Sequence, residues 1–151
     1  MSKSNEGQVD PCSPSGKCPI TFALDIFGDK WSLLIIRDMV FKKKKYYGEF
    51  LQSAEKISTN ILADRLTKLE TQRLISKTRD CQNQKKYIYR LTEKGQELLP
   101  LLLEIVEWST KYDPQPDVPD NIIFGAPANL LVRFRTDRDN LISEILSGLN
   151  E

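Results

Sequence analysis

The sequence predicts a mainly helical α+β fold with one small β-hairpin, and three observations lead there. Apolar residues recur at helical spacing through most of the chain. One stretch, Leu74 to Leu91, breaks into two short runs around a polar turn. Directly before it stand two adjacent helices, the second of them polar on its outer side near its start. Two close helices followed by a hairpin is the order of elements in a winged helix-turn-helix. Further helices before and after this unit are expected to be added for dimerisation.

Each element follows from local pattern. Ile20, Ala23, Leu24 and Phe27 take helical spacing, Pro19 suits a first turn and Gly28 ends the run. Asp29 then caps a helix over about Lys30 to Phe41, whose Trp31, Leu34, Ile35 and Met39 stripe is widened by Leu33, Ile36 and Val40. Such breadth predicts burial. Four lysines, Lys42 to Lys45, close that helix and complement its dipole; they are either phosphate contacts or simply solvated. A short helix over about Tyr46 to Ala54 is anchored by Phe50 and Leu51. Ser58 and Thr59 open the next helix, to about Gln72, with Leu62, Leu66 and Leu69 on one face and Asn60, Asp64, Thr67, Lys68 and Thr71 opposite.

Leu74 to Asp80 and Tyr87 to Leu91 are the two strands, joined by the polar turn Cys81 to Lys86; Tyr87, Tyr89 and Leu91 alternate with Ile88 and Arg90. Thr92 caps a leucine-rich helix through Tyr112, in which Pro100 makes a kink or starts a new segment. Its apolar face is broader than one small domain covers, which points to a partner helix; packing on the chain's own core is the alternative. Asp113 to Asp120, with three prolines, reads as a linker. Asn129 to Arg135 fits strand or helix, and Thr136 is expected to cap an amphipathic helix carrying Leu141, Ile142, Ile145, Leu146 and Leu149.

Charge is unevenly spread. The 151 residues sum to only +1, yet Lys30 to Gly95 holds 16 Lys/Arg against 7 Asp/Glu, while the flanks together hold 6 against 14. A basic middle between acidic ends suits a nucleic-acid surface. There is no histidine, which removes the commonest general base and metal ligand. The seven glycines are scattered and form no phosphate-binding loop. We therefore expect no enzyme, no cofactor and no metal. The longest apolar stretch, Leu98 to Trp108, is interrupted by Pro100, Glu104 and Glu107 and falls short of a membrane span, which takes about 20 residues. Met1 to Gly16 lacks a signal-peptide core, and the three cysteines, Cys12, Cys18 and Cys81, are too few for a disulfide scaffold. A cytoplasmic protein is expected, with residues 1–17 a flexible tail, 18–112 the winged helix-turn-helix domain and 113–151 a C-terminal extension.

The ordered motifs resemble the HxlR-type winged-helix regulators. They run Cys18-Pro19-Ile20, Gly28-Asp29-Lys30-Trp31, Tyr47-Gly48-Glu49-Phe50, Ile57-Ser58, Leu62, Arg65-Leu66, Leu69-Glu70 and Leu74-Ile75. Tyr89-Arg90-Leu91-Thr92-Glu93-Lys94-Gly95, Leu99-Pro100 and Trp108 complete the set, so the likeness covers Cys18 to Tyr112. The chain departs from the family pattern at Asp29 and at Arg73, where glycine is usual, and at Tyr46 and Tyr47, where arginine-phenylalanine is usual. The resemblance implies a homodimeric cytoplasmic repressor or activator. It also implies, for some members, sensing of electrophiles or oxidants through a cysteine near the first helix.

These readings converge on double-stranded DNA as partner, bound by a homodimer acting as a sequence-specific regulator, with repression the expected sense. Side chains at a helix start reach deepest into the major groove, so Ser58, Thr59, Asn60 and Asp64 are the base-edge candidates. Arg65 and Lys68, a turn on, suit phosphates, and Arg79, Lys85 and Lys86 in the wing suit the adjacent minor groove or backbone. Cys18 sits at a helix N-terminus, where the dipole favours thiolate, and is the candidate redox or electrophile sensor. Its alternative is a small buried hydrophobe. Cys12 can resolve Cys18 or stay a tail thiol, and Cys81 is an exposed wing thiol. Two rivals stand beside this reading: a regulator answering a small-molecule effector between the dimerising helices, and a winged-helix module that binds protein instead of DNA.

Overall fold

The computed structural model describes residues 18–113 and 129–149. The tail expected over 1–17 and most of the linker after Asp113 lie outside them.

Helix α1 spans Pro19–Phe27, with the proline in its first turn, and the Gly28 amide closes it on the Leu24 carbonyl at 2.7 Å. Helix α2, Lys30–Phe41, starts where the sequence predicts. The Asp29 carboxylate accepts from the Trp31 and Ser32 amides at 2.9 and 3.0 Å and from the Ser32 hydroxyl at 2.6 Å, satisfying donors that a helix start leaves unpaired. Helix α3 is Tyr47–Leu51, shorter than expected. The Glu49 carboxylate ties its start by accepting from the Lys45 and Tyr46 amides at 2.8 and 2.9 Å. Helix α4 is Thr59–Thr71, capped by Ser58, whose hydroxyl accepts from the Ile61 amide at 3.3 Å.

The end of α4 is a Schellman closure. The Leu74 amide reaches the Leu69 carbonyl and the Arg73 amide the Glu70 carbonyl, both at 2.9 Å, with Leu69 and Leu74 buried. Arg73 adopts the left-handed conformation this demands, with φ of 59°.

Strands β1, Ile75–Arg79, and β2, Tyr87–Leu91, pair antiparallel with Ile75 opposite Leu91 and Arg79 opposite Tyr87. The expected in-out alternation along β2 holds only in part, since adjacent Ile88 and Tyr89 are both buried. A third short strand segment accompanies this departure. Tyr46 bridges Ile88, and the Tyr89 amide donates to the Lys45 carbonyl at 2.8 Å.

The helix expected from Thr92 through Tyr112 is two helices. Thr92 caps the short α5, Glu93–Gln96, and α6 then runs Leu99–Tyr112 with Pro100 in its first turn, so the proline starts a segment and kinks none. Thr92 also clasps the turn after α4, its hydroxyl donating to the Arg73 carbonyl at 2.6 Å. Gly95 packs so closely there that a Cβ would stand 2.0 Å from the Leu74 carbonyl oxygen.

Beyond the undescribed segment, α7 is Leu130–Thr136 and α8 is Arg138–Ser147. Thr136 does not cap α8. Its hydroxyl donates back to the Val132 carbonyl at 2.8 Å, ending α7, and Asp137 opens α8 without a side-chain cap bond. One hydrophobic core joins Ile36, Met39 and Val40 of α2, Leu62, Leu66 and Leu69 of α4, Leu99 and Leu103 of α6, and Leu130, Phe134, Leu141 and Ile145 of α7 and α8.

At its rim lies a buried charge cluster. Asp38, 2% exposed, accepts from Lys44 at 2.8 Å and from the Ser53 hydroxyl, and pairs with Arg37 at 2.6 Å. Arg37 reaches on to Glu55. Burial alone would raise the Asp38 carboxyl, but hydrogen bonds from Lys44, Ser53 and Arg37 and the arginine's charge override it and hold the group at about 2. The cluster fastens the end of α2 to the loop after α3, and so sets where α4 begins.

Candidate nucleic-acid interface

Helices α3 and α4 form the helix-turn-helix pair. Leu62, Leu66 and Leu69 bind α4 to the core, which turns Thr59, Asn60, Ala63, Asp64, Thr67 and Thr71 outward, all exposed. The Tyr47 hydroxyl donates to the Thr59 carbonyl at 2.9 Å, pinning α3 to the first turn of α4 and fixing the angle at which that turn projects. Sequence reasoning missed this role of Tyr47. The available signal was its place at the first position of α3, where arginine-phenylalanine is usual.

Seven of the nine sequence-predicted positions fall into two exposed groups, and Lys68 and Arg65 stand apart. Ser58, Thr59, Asn60 and Asp64 are brought together on the exposed start of α4, while Arg79, Lys85 and Lys86 are exposed along the hairpin. Lys68 is half-buried at the far end of the same helix. Arg65 is drawn inward: its Nε is buried without a hydrogen-bond partner and lies 3.6 Å from Asp29. The carboxyl of Asp29 is pushed up by burial, yet settles below its ordinary value through hydrogen bonds from Ser32 and Trp31 and the nearby Arg65 charge. Arg65 thus connects the start of α2 to the middle of α4.

The wing carries its cations on aromatic rings. The Arg79 guanidinium sits 5.1 Å from the Tyr87 ring centre and the Lys77 ammonium 4.3 Å from it, while Lys86 lies 5.4 Å from the Tyr46 ring. These contacts restrain long flexible side chains without neutralising them. Arg79 also donates to the Gln84 carbonyl at 2.7 Å, bracing the hairpin tip. The one carboxylate of the tip, Asp80, is turned inward, accepting from the Gln82 amide and, at 2.9 Å, from the Tyr46 hydroxyl. Those bonds hold its carboxyl below its usual value. The outer surface of the hairpin therefore stays cationic.

Cys18 precedes α1 at its N-cap position and is buried, 3% exposed, the burial that the small-hydrophobe alternative expects and not that of a surface thiolate. Cys81 is exposed in the hairpin turn, and Cys12 lies outside the described residues. Large exposed apolar side chains include Ile20 (67%), Phe22 and Leu24 on α1, Ile105, Trp108 (65%) and Tyr112 on α6, and Val132 on α7. Among the described residues no helix is long and apolar enough to cross a membrane.

A family model described as HxlR-like helix-turn-helix matches residues 26–117. The chain belongs to the HxlR-like helix-turn-helix family. As an HxlR-like protein it is a transcription regulator with a winged-helix fold. The HxlR-like chain is 29% identical over 125 residues to the uncharacterized HTH-type transcriptional regulator sll1512 of Synechocystis sp., covering 82% of this chain and 92% of that one. Among solved structures it superposes on PA1607, a candidate transcription factor, with a TM-score of 0.62 and 38% identity over 69% of this chain and 71% of the other. It also superposes on the oxidised form of the redox regulator HypR, with a TM-score of 0.57 and 28% identity, covering 65% of this chain and all of HypR.

Proposed function

We propose that this HxlR-like regulator is a sequence-specific repressor that binds its operator as a homodimer in the cytoplasm, with residues 18–112 as the DNA-reading domain and 113–151 as an extension. The observation that carries the reading is the polar, outward start of α4, pinned to α3 by Tyr47, together with a cationic hairpin whose strand β2 packs against α3. On this reading Ser58, Thr59, Asn60 and Asp64 meet base edges in the major groove, and the Asn60 amide pairs with adenine. Lys68 and the wing residues Arg79, Lys85 and Lys86 meet the backbone and adjacent minor groove. Arg65 reaches a phosphate only by leaving Asp29, so its part is to hold α4 in register. The exposed apolar residues of α1 and α6 support self-association, and two reading helices on one side of the duplex would engage half-sites about 34 Å apart.

Titration of operator binding against salt tests the central claim. Several cations per subunit on phosphates require affinity to fall steeply, with log K falling linearly against log salt; a flat response removes DNA from the account. Asn60→Ala should then cost about 1–3 kcal/mol on operator DNA and relax discrimination at one base pair.

The likeness to a redox regulator and the place of Cys18 at a helix N-terminus support thiol-controlled release. Because Cys18 is buried, the first turn of α1 must open before an oxidant or quinone can reach it. Diamide or a quinone should release wild-type protein from DNA and leave Cys18→Ser bound; equal release of both removes the sensor.

A further inference from the structure

A cleft of about 500 Å³ opens between the end of α2, strand β2 and the last turn of α8. Among the described residues four cations line it, Lys43, Lys44, Lys45 and Arg90, and no acidic side chain does. Its remaining wall is largely apolar, with Met39, Tyr89 and Leu149 among the lining residues. The size falls within the range of small-molecule pockets.

The cations are not equivalent. Lys44 is committed to Asp38 and Ser53, at 2.8 and 2.7 Å. Lys43 lies over the end of α8, its Nζ 3.2 Å from where a Cβ on Gly148 would stand. Lys45 and Arg90 are exposed and form no ion pair among the described residues. Two cations at the rim of an apolar cleft attract an anionic head, and the wall behind them favours an apolar body.

We propose that this cleft is an effector site for a small organic anion, a single carboxylate on an apolar body, held by Lys45 and Arg90 at its head and by Met39, Tyr89 and Leu149 along its body. This places the effector apart from the α1 and α6 helices on which self-association rests. The site is mechanically joined to the wing, because Tyr89 and Arg90 belong to β2 and the Tyr89 amide is bonded to the Lys45 carbonyl at 2.8 Å. An occupant that displaces Lys45 or Arg90 shifts the base of the hairpin. The consequence for DNA rests on the proposed function above; binding itself does not.

The test therefore begins without DNA. The full chain is titrated calorimetrically with octanoate and benzoate, with their neutral amides, and with inorganic phosphate as a headgroup alone. Saturable binding of a carboxylate, at least about tenfold stronger than its amide and stronger than phosphate, is expected. The double variant Lys45→Gln/Arg90→Gln should weaken it by about tenfold or more, while Lys111→Gln, outside the cleft, leaves it unchanged. Acid and amide binding alike, phosphate binding as well as octanoate, binding unaffected by the double variant, or no saturation by about 10 mM each overturns the site. In a second arm, carboxylate should change wild-type DNA affinity by about five-fold or more and leave the double variant's affinity unmoved. Binding without that change overturns the effector role alone, and failure of the unliganded protein to bind DNA strikes the regulator reading instead.

Discussion

The left-handed residue that closes α4 can be relieved by one substitution, Arg73→Gly. Its φ of 59° is fixed by the pair of amide bonds that end the helix, from Arg73 to Glu70 and from Leu74 to Leu69. A side chain bearing Cβ there crowds the following carbonyl, at roughly 1–2 kcal/mol. Glycine removes that crowding but frees the unfolded chain by roughly 0.4–1 kcal/mol. The balance is a gain of about 1 kcal/mol, worth about 2–4 °C in Tm for a chain of this size. The hydroxyl bond from Thr92 goes to the Arg73 carbonyl and survives the change. Arg73→Ala is the matched control, since it removes the same charge but keeps Cβ. Thermal denaturation of both variants and wild type decides the matter. If the glycine variant melts no higher than the alanine variant, the strain assigned to this turn is wrong.

Three further outcomes follow from the packing. Asp38→Asn should destabilise the fold by roughly 3 kcal/mol in urea denaturation at neutral pH, because it leaves Arg37, Lys42 and Lys44 facing a neutral group. In the wild type the folded Asp38 carboxyl, at about 2, lies below its ordinary 3.8. Its contribution of about 2 kcal/mol is therefore present above pH ~4 and lost as the pH falls toward ~2, a loss the Asn variant should lack. Gly95→Ala drives a methyl to within 2.0 Å of the Leu74 carbonyl oxygen and should lower stability by about 1–3 kcal/mol in a thermal melt. Trp108→Glu places a charge in the exposed apolar patch of α6; on the proposed homodimer, sedimentation should show dimer for the wild type and monomer for the variant with the far-ultraviolet circular dichroism unchanged, and an unaltered sedimentation coefficient removes α6 from the proposed interface.

Much of the reading unit was legible because its signals are local. Asp29 and Ser58 announce their helices by short-range capping, and Leu62, Leu66 and Leu69 fix which side of α4 faces inward. What escaped depends on partners far along the chain. Arg65 flanks the Leu62, Leu66 and Leu69 stripe on a helical wheel, and only Asp29, 36 residues earlier, shows that it is drawn inward. Ile88 and Tyr89 are both buried where alternation predicts one, and a third strand segment at Tyr46 and Lys45, too short to show in a pattern, pairs along β2 there. Thr136 has the residue type of a cap but spends its hydroxyl on the previous turn. The departure at Arg73 was visible in the sequence; the conformation that makes glycine usual there was not.

The core does not stop where the family match stops. Residue 117 bounds the match, yet Leu130, Phe134, Leu141 and Ile145 share one cluster with Met39 and Leu99. Anyone grafting this DNA reader onto another protein must carry the last two helices along. A chimera joined at the family boundary would begin life with an open greasy flank, and its failure to stay soluble would say nothing about the reader itself.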